Sequence, residues 1–169
     1  MSGKDVYTYG GESVDVTWDG RLCIHVGECT RATGALFQRG RDPWGQPDLL
    51  SADEVADVVA RCPTGAIVAH RKDGGPAEQP PAENTIVVAN CGPLYVRGDL
   101  RLMGAPDDMP GIATRVALCR CGHSKAKPFC DGSHEEARFD DRGAIGETGA
   151  ALESTGGPLE IEPLPNGPI

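Results

Sequence analysis

Residues 119–134 read C-R-C-G-H-S-K-A-K-P-F-C-D-G-S-H, and this segment decides how the chain is read. Cys119, Cys121, Cys130 and His134 place three thiols and an imidazole within sixteen residues. Soft and borderline donors of this kind suit iron–sulfur centres and zinc alike. A Cys-x-Cys pair needs extended or turning backbone for both sulfurs to reach one metal. Cys130 and His134 are four apart, so a helical turn puts them on one face. Asp131 or Ser133 would cap that turn, leaving its N–H groups toward negative charge at the site. Gly132 and Pro128 supply the bend between the two halves. From donor types alone, a closed zinc site and an iron–sulfur centre are equal expectations. His123 matches no ligand position and reads as an exposed turn residue, and Lys125 and Lys127 read as solvated.

The full pattern separates the two. Cys119, Cys121, Ser124, Pro128, Cys130, Asp131, Gly132, Ser133 and His134 fit C-x-C-x2-(S/T)-x3-P-x-C-D-G-(S/A/T)-H at every defined position. The segment resembles the CDGSH (mitoNEET-like) iron–sulfur family. The stretches G-P-L-Y-V-R-G-D-L (92–100) and R-V-A-L-C-R-C-G (115–122) extend the likeness upstream. The resemblance implies a small β-rich domain over about residues 85–140. It implies a [2Fe–2S] cluster with one iron on Cys119 and Cys121 and the other on Cys130 and His134, and either pairing of two chains as a homodimer, as in mitoNEET-like members, or use of the N-terminal domain instead. One imidazole in place of a thiolate removes negative charge and raises the reduction potential. Protonation of the ligating nitrogen would release it, so the cluster is expected to be acid-labile. Cys91 lies in N-C-G-P-L-Y, where the family pattern leads one to expect Asn-Gly-Pro, and is read as a buried, inert thiol.

A second set of cysteines lies near the other end. Residues 23–29 read C-I-H-V-G-E-C, and C-P-T-G-A-I follows at 62–67. Between them Ser51-Ala52-Asp53-Glu54 is a capping box that opens a helix to about Arg61, with Val55, Val58 and Val59 as its apolar face. Strand-like pieces flank this region at 13–17 and 66–69. Residues 12–70 resemble a divergent single-cluster bacterial ferredoxin. Cys23 and Cys29 match the first and third positions of C-x2-C-x2-C, and Cys62-Pro63 matches the distant Cys-Pro. Val26 occupies the second position and cannot ligate iron. The resemblance implies a [3Fe–4S] cluster on Cys23, Cys29 and Cys62, or a [4Fe–4S] cluster with a fourth ligand. His25 is close by but stands at the wrong position of the loop, and Cys91 is unassigned. Trp18 and Trp44 are read as local packing.

The fold class expected is α+β: a small ferredoxin-like cluster domain (1–70), a Pro- and Gly-rich linker (71–84), a β-rich CDGSH domain (85–140) and an acidic tail (141–169). Strands are expected at 85–89, 94–101 and 114–118, and L-E-I-E-P-L (159–164) could add one more. Of 169 residues, 39% are hydrophobic and 5% aromatic, with 23 Gly and 14 Pro. So thin a core calls for a staple, and seven cysteines supply it. Met1–Gly10 has no signal-peptide layout and no stretch approaches the roughly 18 apolar residues of a membrane span. A cytoplasmic protein with reduced thiols is therefore expected, and clustered cysteines read as metal ligands.

The net charge of −9 disfavours nucleic acid, whose binding rests on neutralised phosphates, and suits a basic docking patch on redox protein partners. No GxGxxG, P-loop or nucleophile–base signature is present. The expectation is a two-cluster electron carrier and not an enzyme, with cluster transfer or redox and pH sensing as the alternative. No membrane partner is expected.

Overall fold

Val14 and Val16 alternate with Asp15 and Thr17, and a half-buried strand follows from that period. The computed structural model describes residues 6–32, 35–143 and 157–163. In it, β1 (Val6–Tyr9) pairs antiparallel with β2 (Val14–Asp19), Tyr7 opposite Trp18. Both valines of β2 are buried, at 1% and 0% exposure. A one-turn helix, α1 (Glu28–Arg31), and a longer one, α2 (Ala52–Ala60), precede β3 (Ile67–Arg71), which pairs antiparallel with the far side of β2. The sheet order is β1-β2-β3.

The capping box of α2 forms as the sequence predicts. Ser51 Oγ accepts from the Glu54 N–H, and the Glu54 carboxylate accepts from the Ser51 N–H at 2.9 Å. Val55, Val58 and Val59 are buried, each contributing roughly 1.5 kcal/mol or more of apolar burial. β3 continues past the expected 66–69 because Arg71 is held by Asp53 and Asp73, while Lys72 reaches the Asp15 carboxylate. The strand β1 and the helix α1 were not expected. β1 is mostly exposed, so its sequence carries no clean alternation, and four residues are too few for α1 to show a helical period.

This sheet lies within one of two compact units, Met1–Gln79. The second, Pro80–Ile169, is built on β4 (Thr85–Val88), β5 (Leu94–Arg97), β6 (Leu100–Leu102) and β7 (Arg115–Leu118). The antiparallel sheet runs β4-β5-β7. The single strand expected over 94–101 is broken into β5 and β6 at Gly98 and Asp99. There Gly98 N–H donates to Thr114 O and Asp99 N–H to the Asn84 side chain. A one-turn helix, α3 (Ser133–Glu136), follows β7. β8 (Leu159–Ile161) pairs parallel with β6, so the L-E-I-E-P-L stretch does supply a strand. The rest of the tail beyond Gly143, residues 144–156 and 164–169, lies outside the described residues. Val96, Val116, Leu118 and Phe129 form the core of this unit. No helix among the described residues is long and apolar enough to cross a membrane.

Candidate metal centres

In the first unit the sheet itself gathers the cysteines. Trp18 of β2 stands opposite Ile67 of β3, so the exit of β2 and the entry to β3 share one end of the sheet. Asp19 N–H donates to Ala66 O at 2.8 Å and fastens the two loops there. Cys23 follows β2 by way of a 3₁₀ turn, and Cys62 follows α2, its N–H donating to Val59 O. Gly27 and His25 take positive φ values of 85° and 56°, which fold 23–29 into a tight loop ending on Cys29 in α1. Cys23, Cys29 and Cys62 all line one small cradle with Thr64 and Ile67. The crowding has an electrostatic consequence. Burial pushes the Cys29 thiol up to about 11, and the neighbouring Cys62 and Cys23 push in the same direction. His25 Nδ1 lies 4.0 Å from Cys23 Sγ, and Val26 sits in the cradle wall as a plain apolar residue.

In the second unit a hairpin-like pairing does the same work. Leu118 at the end of β7 bridges Phe129. Cys119 N–H donates to Pro128 O at 2.9 Å and Cys130 N–H to Ala117 O at 2.8 Å, which sets the two ligand segments side by side. The loop between them is closed from within. Ser124 Oγ donates to Phe129 O, and the Asp131 carboxylate accepts from Lys125 N–H and Ser133 N–H. The donors meet in pairs: Cys119 Sγ to Cys121 Sγ at 3.9 Å, and Cys130 Sγ to His134 Nδ1 at 3.4 Å. Among the described residues no three His, Cys, Asp or Glu side chains gather on a single metal ion.

Burial pushes the Cys130 thiol up to about 11, against the Gly132 N–H, which pulls it down, and Cys119, Asp131 and Cys121 add to the rise. Cys121 is raised by burial too, with His123 N–H directed at its sulfur from 3.4 Å. Cys23, Cys29 and Cys62 share one cradle, the donors of the second unit stand in two pairs, and an N–H directed at sulfur, as at Cys121, is a contact that a cluster uses. The residues present therefore fit a bound iron–sulfur group in each unit.

The sequence reading needs correction at three places here. The residue capping α3 is Gly132, at φ 87°, not Asp131 or Ser133. Asp131 instead takes the Ser133 N–H, and Gly132 O takes that of Glu135, so those two N–H groups are spent locally and do not face the site. Cys91 is half-buried, not buried, at φ 50°, its sulfur facing the Asn90 and Asp140 side chains. Arg120 was missed altogether. It lies between two expected ligands, Cys119 and Cys121, and in an extended segment the middle residue faces away from its neighbours. Its guanidinium donates to Gly92 O, Ala89 O and Asp141 O at 2.8–2.9 Å, pairs with the Asp141 carboxylate at 3.1 Å and covers the Phe139 ring at 4.8 Å. It thus ties the β4–β5 turn to the segment after α3, and a side chain added at Gly92 would come within 3.9 Å of His134 Nε2. His123, Lys125 and Lys127 are exposed, as expected.

Residues 9–72 match the family described as a divergent 4Fe-4S mono-cluster, and residues 90–135 match the iron-binding zinc finger of CDGSH type. The chain belongs to both families, one in each unit. Uncharacterized protein YjdI of Escherichia coli strain K12 is 41% identical over 59 residues, covering 35% of this chain and 78% of YjdI. YjdI of Escherichia coli O157:H7 matches with the same identity and coverage. No solved structure matches significantly. The mono-cluster unit and the CDGSH unit therefore stand in the order that the sequence implies, and both families point to iron–sulfur binding.

Proposed function

We propose that this chain carries single electrons between protein partners through two unlike clusters. The CDGSH unit would hold [2Fe–2S] on Cys119, Cys121, Cys130 and His134. The mono-cluster unit would hold [3Fe–4S], or [4Fe–4S] with a further ligand, on Cys23, Cys29 and Cys62. A bound cluster of either kind supplies one-electron oxidation and reduction. The chain's own residues do the rest: they hold the irons, bury Cys119, Cys130 and Cys62 away from water, and direct N–H groups at sulfur.

The observation that carries this reading is the pairing of donors in the CDGSH unit, two and two. A mononuclear zinc site needs four donors on one centre, whereas a dinuclear cluster needs two pairs. Protein partners with basic patches suit a chain of net charge −9. Anaerobic purification with iron and sulfide analysis and EPR spectroscopy tests it. About five or six irons per chain are expected, from a three- or four-iron cluster plus a two-iron one. Colourless protein with stoichiometric zinc would overturn it. The half-exposed position of His134 favours a second reading, transfer of the [2Fe–2S] cluster to an acceptor. Reversible reduction without iron loss supports the first, and delivery to an apo-acceptor the second.

A further inference from the structure

Five of the chain's eight aromatic residues gather at one place in the mono-cluster unit. Phe37 is 1% exposed and is ordinary core, with Trp44 stacked on it at 4.3 Å. The others line open space. Trp18 and Trp44 meet at 5.7 Å and 63°, Tyr9 meets Trp44 edge-on at 6.0 Å, and Tyr7 stacks on Trp18 at 5.6 Å while remaining 53% exposed. Tyr9, Trp18 and Trp44 wall a cavity of about 340 Å³ whose other walls include Cys23, Cys29 and the exposed Arg39. A second hollow of about 420 Å³ is also lined by Tyr9 and Trp18, together with Tyr7, Gly20 and Arg21.

This space adjoins the cluster cradle, shares Cys23, His25, Gly27 and Cys29 with it, and reaches beyond it to the aromatic rings. A cluster held by three cysteines must touch all three, and Cys62 lines the small cradle but not the aromatic cavity. Its size falls in the usual range for a small-molecule site, about 300–1,000 Å³, and its walls are of the usual kind, apolar rings with few polar groups. Rings that offer faces and edges select a flat partner, because offset and edge-to-face contacts both favour a ring between them. Arg21 is already engaged by Asp19 through two contacts of 2.8–2.9 Å, which leaves Arg39 to supply the guanidinium for a negative group. The Cys23 and Cys29 wall adds the last constraint, since a ring there stands against two cluster ligands.

We propose that this cavity binds a freely diffusing, planar, redox-active aromatic anion of the quinone or flavin class. The inference rests on the proposed function for its redox part: one electron lost by the cluster is gained by the ring, with no bond made or broken. Both tryptophans of the chain, Trp18 and Trp44, line the cavity, so intrinsic fluorescence reports on it directly.

Cluster-loaded protein is titrated anaerobically with anthraquinone-2-sulfonate and, separately, with its uncharged 2-hydroxymethyl analogue. Saturable quenching is expected, and Arg39→Glu should weaken sulfonate binding about tenfold or more while leaving the uncharged analogue nearly unaffected. Lys125→Glu, in the other unit, should change neither. Quenching that rises linearly without saturation, or saturable quenching unchanged in Arg39→Glu, overturns the proposal. Because Arg39 is exposed, its replacement does not threaten the fold. EPR on the same samples separates two failures. An intact three-cysteine cluster without saturable binding defeats the cavity alone. A missing cluster signal with saturable, Arg39-dependent binding defeats the cluster reading and supports the cavity.

Discussion

The two units bring cysteines together by different means. The mono-cluster unit draws Cys23, Cys29 and Cys62 from segments far apart in sequence and joins them through one end of an antiparallel sheet. The CDGSH unit keeps all four donors within sixteen residues and joins them through a short bridge at Leu118 and Phe129. The first centre therefore depends on a completed fold. The second depends on local turns, with Arg120 and the turn at 89–92 as its main outside support. A long-range site should fail whenever its sheet fails, whereas a local site should tolerate damage outside its own loop.

The largest test removes one ligand on each side. Cys62→Ala should abolish the mono-cluster EPR signal and leave the [2Fe–2S] signal, and Cys130→Ala should do the reverse. Iron counts on the two purified variants check this, and loss of both signals in either variant would mean that the units are not independent.

Next in size is Arg120→Ala, which strands Gly92 O, Ala89 O and Asp141 O and removes a side chain only 13% exposed. A loss of about 2 kcal/mol is expected in the CDGSH unit alone. Chemical denaturation followed at the [2Fe–2S] absorbance reads it. Ser51→Ala opens the capping box and should cost about 1 kcal/mol in the mono-cluster unit, measured by tryptophan fluorescence against denaturant.

A pH experiment should erase the difference. In metal-free protein Cys29 and Cys130 are both raised to about 11, one in each unit. A raised folded-state value means that folding favours the protonated thiol. The stability it contributes is fully present below the unfolded value, about 8.5, and is lost as pH climbs toward 11. Both apo units should weaken over that window, seen by circular dichroism melts at pH 8 and above. If Cys29 and Cys130 are ligated in the loaded protein as proposed, the same window should be flat. The smallest effect expected is that of Cys91→Ser. Its sulfur faces Asn90 and Asp140 and not the ligand pairs, so both EPR signals should persist.

The candidate donors were legible because clusters require donors at fixed spacing, which the C-x-C and C-D-G-S-H pieces state, and the fold sets those donors in two pairs. The capped helix was equally plain, since Ser51, Glu54 and three buried valines each announce it. What could not be read has physical reasons. β1 is exposed on most of its length and pairs through backbone, which side-chain patterns do not report. The break between β5 and β6 is set by Asn84 and Thr114, both distant in sequence. Arg120 was hidden because its partners are mostly backbone carbonyls, and these leave no mark in a sequence. Trp18 and Trp44 do pack locally, but the open cavity beside them depends on how three rings, with that of Tyr9, are tilted.

The parallel pairing of β6 with β8 means that the chain leaves Leu100, passes through the whole metal-binding segment and returns at Leu159. It is therefore a closed circuit of polypeptide with the ligands strung along it. Ligation by Cys119 and His134 would cross-link the circuit and shorten the span that β8 closes. The entropic gain from such shortening varies only with the logarithm of loop length and amounts here to less than about 1 kcal/mol. The direct contacts that hold β8, Leu159 N–H to Asp99 O and Met103 N–H to Ile161 O, do not pass through the ligands. On this arithmetic the pairing of β8 with β6 is expected to persist with or without a bound cluster.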